Sequence, residues 1–216
     1  MHASLSKTVR MGALLVVVFL LAGLVMPKWL LFLSTMALSH GIVSMGIVLL
    51  MRSGVVSFGQ GFVFALGGYG AALMARHLGI TDAVVLVLGG GLVSALVAAP
   101  FATLLARYRA IFFAMLTLAI SMVLYGILVK TEALGGSDGF NVSRPTLFGQ
   151  EIGSESANFV LYSLASVIVG LLGTLSRIYA DSVRGMVAMA IRENELLVEY
   201  LGASVSSTIA ANYIIA

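Results

Sequence analysis

The sequence predicts an all-α fold, a polytopic membrane helix bundle, and three observations carry that expectation. Hydrophobic residues make up 60% of the chain against 10% charged, far from the balance of a soluble globular domain. The apolar residues fall in long runs separated by short polar segments, and a run of ~20 residues is what a helix needs to cross a bilayer. One stretch alone, Asp181 to Gly202, is sizeable, charged and helix-patterned at once. The expectation is about six complete spans, the start of another, one broken or glycine-rich span, and a cytoplasmic helix. Residues 1–216 then form a single transmembrane domain, incomplete at its C-terminus, with an extracytoplasmic loop at 130–157 and a cytoplasmic loop at 177–204.

Lys7 and Arg10 precede the first run, Met11 to Met26, which stops at Pro27 and Lys28. A basic start and short apolar core also suit a cleaved signal peptide, but no small-x-small cleavage site follows and further spans come at once. Trp29 to Met51 is the second span, with Trp29 as an interfacial anchor. His40 lies within it beside Ser34, Thr35 and Ser44; a lone histidine at that depth is more often bonded between helices than a ligand.

Arg52 to Ala75 is the most unusual stretch. Six glycines, from Gly54 to Gly70, weaken helix propensity. Gly67 with Ala71 and Gly68 with Ala72 make small-residue faces that let a neighbouring helix approach closely. Ser57 and Gln60 bring hydrogen-bonding groups to membrane depth, and Ser57 is placed to cap a helix restarting after a break. Two readings stand: a broken or re-entrant segment beside a polar path, or a glycine-rich packing helix.

Thr81 or Asp82 caps the next span, Ala83 to Ala106, where Gly91 with Ala95 offers a small face and Pro100 predicts a kink. Arg107, Tyr108 and Arg109 form a compact basic loop before the span Ala110 to Val129. Lys130 to Ser156 is the longest polar stretch, and Gly135, Gly136, Ser137, Asp138 and Gly139 are turn formers within it. Asn158 or Glu155 leads into the span Phe159 to Ser176, and Val205 to Ala216 begins a further apolar run.

In Asp181 to Gly202, Val183, Met186, Val187, Ala190 and Ile191 follow the rhythm of one helical face, with Arg184, Arg192, Glu193, Glu195 and Glu199 solvated. Asp181 or Ser182 caps its start and Gly202 ends it. Mixed charge speaks against a lipid anchor, whose polar face is mainly basic; docking on a soluble partner is the preferred reading. A cytoplasmic N-terminus puts Lys7, Arg10, Arg52, Arg107, Arg109, Arg177, Arg184 and Arg192 inside, and only Lys28, Arg76, Lys130 and Arg144 outside, in accord with the positive-inside rule.

Several functions are excluded on the same ground. With no cysteine there is no thiol chemistry, and His2, His40 and His77 are isolated, so no metal site is expected. A formal charge of +3 forms no basic patch interleaved with aromatics, so nucleic acid is not a partner. No nucleophile, base and orienting group converge by spacing, and no phosphate-binding loop is present, so the chain is read as no enzyme.

Four blocks together resemble the permease subunits of branched-chain amino acid ABC importers: SGVVSFGQGFVFALGGYGAAL at Ser53 to Leu73, RYRAIFFAMLTLA at Arg107 to Ala119, GGSDGFN at Gly135 to Asn141 and AIRENELLVEYLG at Ala190 to Gly202. The glycine-rich loop is similar to that of the second of the two permeases in such systems, although Leu134 stands where members often have Thr. Relatives continue beyond the point where this chain stops. The resemblance implies a coupling segment formed by Gly185, Ala190, Ile191, Arg192, Glu193, Asn194, Glu195 and Gly202, with Met186, Val187, Ala190 and Ile191 as buried anchors against an ATP-binding subunit. It implies two such subunits, a second permease, and a periplasmic or extracellular solute-binding protein. ATP and magnesium belong to the partners, none to this chain, and the place is the bacterial inner membrane. His40, Ser57, Gln60 and Tyr69 are candidates to line the solute path or to glue helices together. Urea or short amides are an alternative solute. An ion-coupled transporter is the contrasting class, but it calls for buried ionisable residues, which these spans lack. A membrane scaffold, the third class, needs no glycine-rich, polar-dotted stretch.

Overall fold

The computed structural model describes residues 2–139, 141–142, 144–147, 149–150, 152–153 and 156–216. Its elements in order are α1 (His2–Val25), α2 (Lys28–Met51), α3 (Gln60–Leu78), α4 (Ala83–Leu105), α5 (Ala110–Lys130), α6 (Ala157–Ala180), α7 (Val183–Glu193), α8 (Glu195–Tyr200) and α9 (Val205–Ile215), with a single 3-10 turn at Glu132–Leu134. No strand occurs among the described residues, as an all-α membrane bundle requires. Glu155, offered as one lead-in to α6, lies outside the described residues.

Among the described residues five helices are long and apolar enough to cross a membrane: α1 over Ser6–Val25, α2, α4, α5 and α6. The expected sixth span is α3, 19 residues long; Gln60, Arg76 and His77 and its glycines lower its hydropathy. Of the two readings offered for this stretch, the structure has the break, ahead of α3. After α2 the chain turns at 52–54, with Gly54 at φ 75°, a conformation that costs a residue with a Cβ, and helix resumes only at Gln60. Gly59, not Ser57, is the N-cap residue; the Ser57 hydroxyl accepts from Gly59 N at 3.1 Å, just ahead of the helix.

α3 and α4 form an antiparallel pair in which backbone meets backbone. A Cβ built on Gly90 would lie 2.5 Å from the Gly67 carbonyl oxygen and 3.3 Å from Ala71 Cβ. The expected Gly67/Ala71 face is therefore the contact, but its partner is Gly90. Gly91 and Gly68 have open space around them, which corrects the Gly91/Ala95 and Gly68/Ala72 expectations: a spacing rule finds small residues without saying which side of the helix is covered. Gly90→Val is expected to destabilise the bundle by at least ~2 kcal/mol, because neither backbone can yield; thermal unfolding in detergent measures it. α4 stays helical through Pro100, and Thr103 Oγ1 donates to the Pro100 carbonyl at 2.8 Å.

α6 is the second packing centre, with α1 and α2 against it. Tyr162, 1% exposed, donates from its hydroxyl to Phe19 O at 2.9 Å, and Asn158 Nδ2 donates to Lys28 O at 3.4 Å. The buried core runs through Leu50, Ala102, Leu105, Phe113, Ile191 and Ile209, so α9 and α7 belong to it as fully as the spans. Beyond α5, Gly135, Gly136 and Gly139 take φ 92°, 57° and 70°, the sharp bend their sequence predicts. Thr146 then pairs with Thr81 and Ala83 through two backbone hydrogen bonds of 2.8 Å. Asp82 caps α4, accepting from Val84 N at 2.9 Å.

The helix directions bring the start of α1, the ends of α2, α4 and α6, and all of α7 and α8 to one end of the bundle. The eight cations assigned above to one side collect there; this is the basic end.

Candidate coupling segment and polar path

Between α6 and α9 the chain builds two short helices where one was expected. Ser182 caps α7, accepting from Gly185 N at 3.3 Å and donating to Tyr179 O at 2.6 Å. The helix stops at Asn194, whose backbone is extended (φ −156°, ψ 98°) and whose side-chain oxygen accepts from Leu197 N at 3.1 Å to cap α8. Asparagine is a good cap and a poor interior helix residue, so the break has a local cause. Gly202 ends α8 at φ 83°, as expected of a C-terminal glycine.

The residues turned inward are Gly185, Ala188, Ile191 and Val198. A Cβ on Gly185 would sit 2.4 Å from the carbonyl oxygens of Tyr179 and Ala180, so only glycine lets α7 fold back tightly on α6. Of the four expected anchors, Ile191 is in the chain's own core and Val187 packs against it. Met186 and Ala190 face outward instead, with Met186 56% exposed. Apolar residues on both sides of α7 made a single apolar face the wrong description: one side covers the bundle, and the other is bare. Val183, Met189, Leu196, Tyr200 and Leu201 extend that bare surface.

Charge at the segment is divided in the same way. Glu195 accepts from Arg109 Nε at 2.7 Å. Arg109 also donates through Nη1 to the carbonyls of Ala106 and Tyr108 and through Nη2 to Ser206 Oγ at 3.5 Å. The guanidinium thus joins the end of α4, α8 and the start of α9. Immediately after it, Ala110 holds φ 48°, a region that costs a non-glycine residue on the order of 1–2 kcal/mol. Arg192 and Glu193 are exposed, and Arg192 Cα lies against Gly54, where a Cβ would be 3.3 Å away. The break between α2 and α3 therefore touches α7 directly.

The four candidate path residues divide into two groups. Ser57 and Gln60 are 2% and 6% exposed, and Gln60 Nε2 is buried without a hydrogen-bond partner. Nearby, Phe58 N donates to Thr117 Oγ1 at 3.2 Å, fastening the non-helical segment to α5. His40 and Tyr69 lie elsewhere. His40 Nδ1 is 2.8 Å from Met36 O, its ring centroid 5.8 Å from that of Phe64. Phe64 and Tyr69 line a cleft of about 410 Å³ with Ala65, Gly68, Ala72 and Gly139, so the glycine loop closes one side of it.

Sequence reasoning missed a buried polar cluster. Asn212, fully buried, accepts from the Tyr179 hydroxyl and donates to Ser53 Oγ, tying α6, α9 and the end of α2 together. A lone amide inside the apolar run Val205 to Ala216 was the available signal.

A family model described as the permease component of branched-chain amino acid transport systems matches residues 29–216. The chain belongs to this permease family. No curated protein and no solved structure matches it. The matched region takes in α2 through α9, hence the candidate coupling segment, the α2–α3 break and the cleft. α1 lies ahead of it, although in the permease α1 is packed firmly on α6. No cluster of metal-ligating residues occurs among the described residues.

Proposed function

We propose that the chain is the membrane permease of an ATP-driven importer for branched-chain amino acids or closely related solutes, working with two ATP-binding subunits, a second permease and an external solute-binding protein. ATP and magnesium would be held by the partners. The observation that carries this reading is the bare apolar surface of α7 and α8, backed by buried residues of the same helices. A segment wedged between its own bundle and a partner can pass displacement from one to the other, provided the partner binds its two positions differently. Met186 and Ala190 are anchors on the partner side, with Arg192 and Glu193 as its charged rim. With the basic end in the cytoplasm of a bacterial inner membrane, the Gly135–Gly139 loop and the Tyr69 cleft face outward, where solute arrives. Urea and short amides remain alternative solutes.

Recovery of the native complex in mild detergent, with and without Asp181 to Gly202, tests the reading. An ATP-binding subunit is expected only when the segment is present; its absence from both preparations would sink the proposal. A milder version is Met186→Asp, expected to lower recovery of the ATP-binding subunit at least about tenfold, as loss of a central apolar anchor does.

A further inference from the structure

We propose that the groove between α2 and α6 at the basic end binds the phosphate group of an anionic phospholipid. Arg52 and Arg177 both line this groove, whose volume is about 370 Å³. Arg52 lies just past the end of α2, and Arg177 lies in the last turn of α6. These helix ends sit at the level where headgroups lie when both helices cross a bilayer.

The charge of Arg52 is poorly answered by the protein. Its Nη2 donates to Ala180 O at 3.3 Å and lies 3.1 Å from Met189 Sδ, while its Nε is buried with no hydrogen-bond partner. No carboxylate pairs with it among the described residues. Arg52 is half-buried, so its head reaches the groove, and a guanidinium whose Nε is shut from water without a partner gains from an anion placed there. Among the described residues Arg177 has as ion-pair partner an exposed Asp181, 3.3 Å and one helical turn away, a kind of pair worth little in water. Two cations from different helices beside one opening suit a phosphate, which guanidinium groups bind through charge-assisted hydrogen bonds.

The apolar surroundings select a lipid over a free anion. Below the arginines the groove is walled by Met45, Val48 and Gly173. A second cleft of about 360 Å³, between α1 and α6, shares Met45, Gly173 and Arg177 and continues along Leu15 and Phe19. Two apolar channels meeting at a cationic head match a two-chain phospholipid. Basic pockets between spans on the cytoplasmic side are a recognised form of lipid site. The assignment to the cytoplasmic leaflet rests on the orientation proposed above; the binding itself rests only on α2 and α6 crossing a bilayer.

Native mass spectrometry of the detergent-purified full chain, given an equimolar mixture of phosphatidylglycerol and phosphatidylcholine, tests this. The wild type is expected to retain one phosphatidylglycerol with at least tenfold preference, and Arg52→Gln with Arg177→Gln to lose it. Arg177→Gln alone, a change at an exposed side chain, is expected to give a partial loss and keeps the test readable if the double variant does not fold. Arg107→Gln, at the same end but outside the groove, is expected to change nothing. Equal retention of both lipids by the wild type, or undiminished preference in both groove variants, would overturn the proposal. Displacement of the lipid by inorganic phosphate at millimolar concentration would overturn the lipid assignment in favour of a simple anion site. None of these readings requires ATP or a partner subunit, so the result is separable from that of the complex-recovery experiment.

Discussion

Glu195→Arg is expected to reduce solute uptake by the assembled transporter about tenfold, the size of a typical coupling energy between sites, while ATP hydrolysis continues. The substitution places a second cation opposite Arg109, at a position now 2.7 Å from its Nε. The side chains are about one third exposed, so the lost attraction alone is worth ~1 kcal/mol or less after screening. The larger effect is positional. Arg109 fastens the end of α4 to α8 and α9, next to the strained backbone of Ala110, so repelling it frees α8, and with it the proposed coupling segment, from the spans. Exchanging the charges, Arg109→Glu with Glu195→Arg, is expected to restore only part of the uptake, since a carboxylate cannot donate to the carbonyls of Ala106 and Tyr108. Paired uptake and ATPase assays in proteoliposomes read both effects; full uptake by the single variant would remove Arg109 from the coupling route.

Asn212→Leu is expected to destabilise the protein by ~2 kcal/mol, because the buried Ser53 hydroxyl and the half-buried Tyr179 hydroxyl both lose a partner, at a cost of roughly 1–3 kcal/mol for a buried group and less for a half-buried one. The residues left behind are Tyr179 on α6 and Ser53 at the end of α2. Removing those as well, with Tyr179→Phe and Ser53→Ala, is expected to recover most of the loss, since deleting both sides of a buried hydrogen bond is often nearly neutral. Chemical unfolding in detergent followed by circular dichroism separates the two outcomes. A single variant as stable as the wild type would show that α9 is held by apolar packing alone.

The spans were legible in the sequence because a bilayer requires length and apolarity and little else. The α2–α3 break was half legible: Gly54, Gly59, Ser57 and Gln60 raised it as one of two readings, and the sequence did not choose between a break and a glycine-rich packing helix. What escaped was anything fixed by a partner distant along the chain. Gly90 and Gly91 are equivalent on paper, and only Gly67 on the neighbouring helix distinguishes them. Arg109 reads as one more loop cation until Glu195 is brought beside it. The division of α7 into inward and outward apolar residues escaped for a related reason: Met186 and Ile191 both fit an apolar helical face, and the bundle covers only one of them.

The contacts between α1 and α6 bear on how the chain is made. Gly12 packs against Thr174 and Gly23 against Tyr162, whereas α3 and α4 are immediate neighbours along the chain. During translation the α3–α4 hairpin has its partner at once. At roughly 5–20 residues per second, the ~160 residues between Gly12 and Thr174 impose a wait of about 8–30 s before α1 meets the helix it fits. Throughout that interval its glycine notches lack the helix that fills them, so α1 completes its packing only after α6 is made.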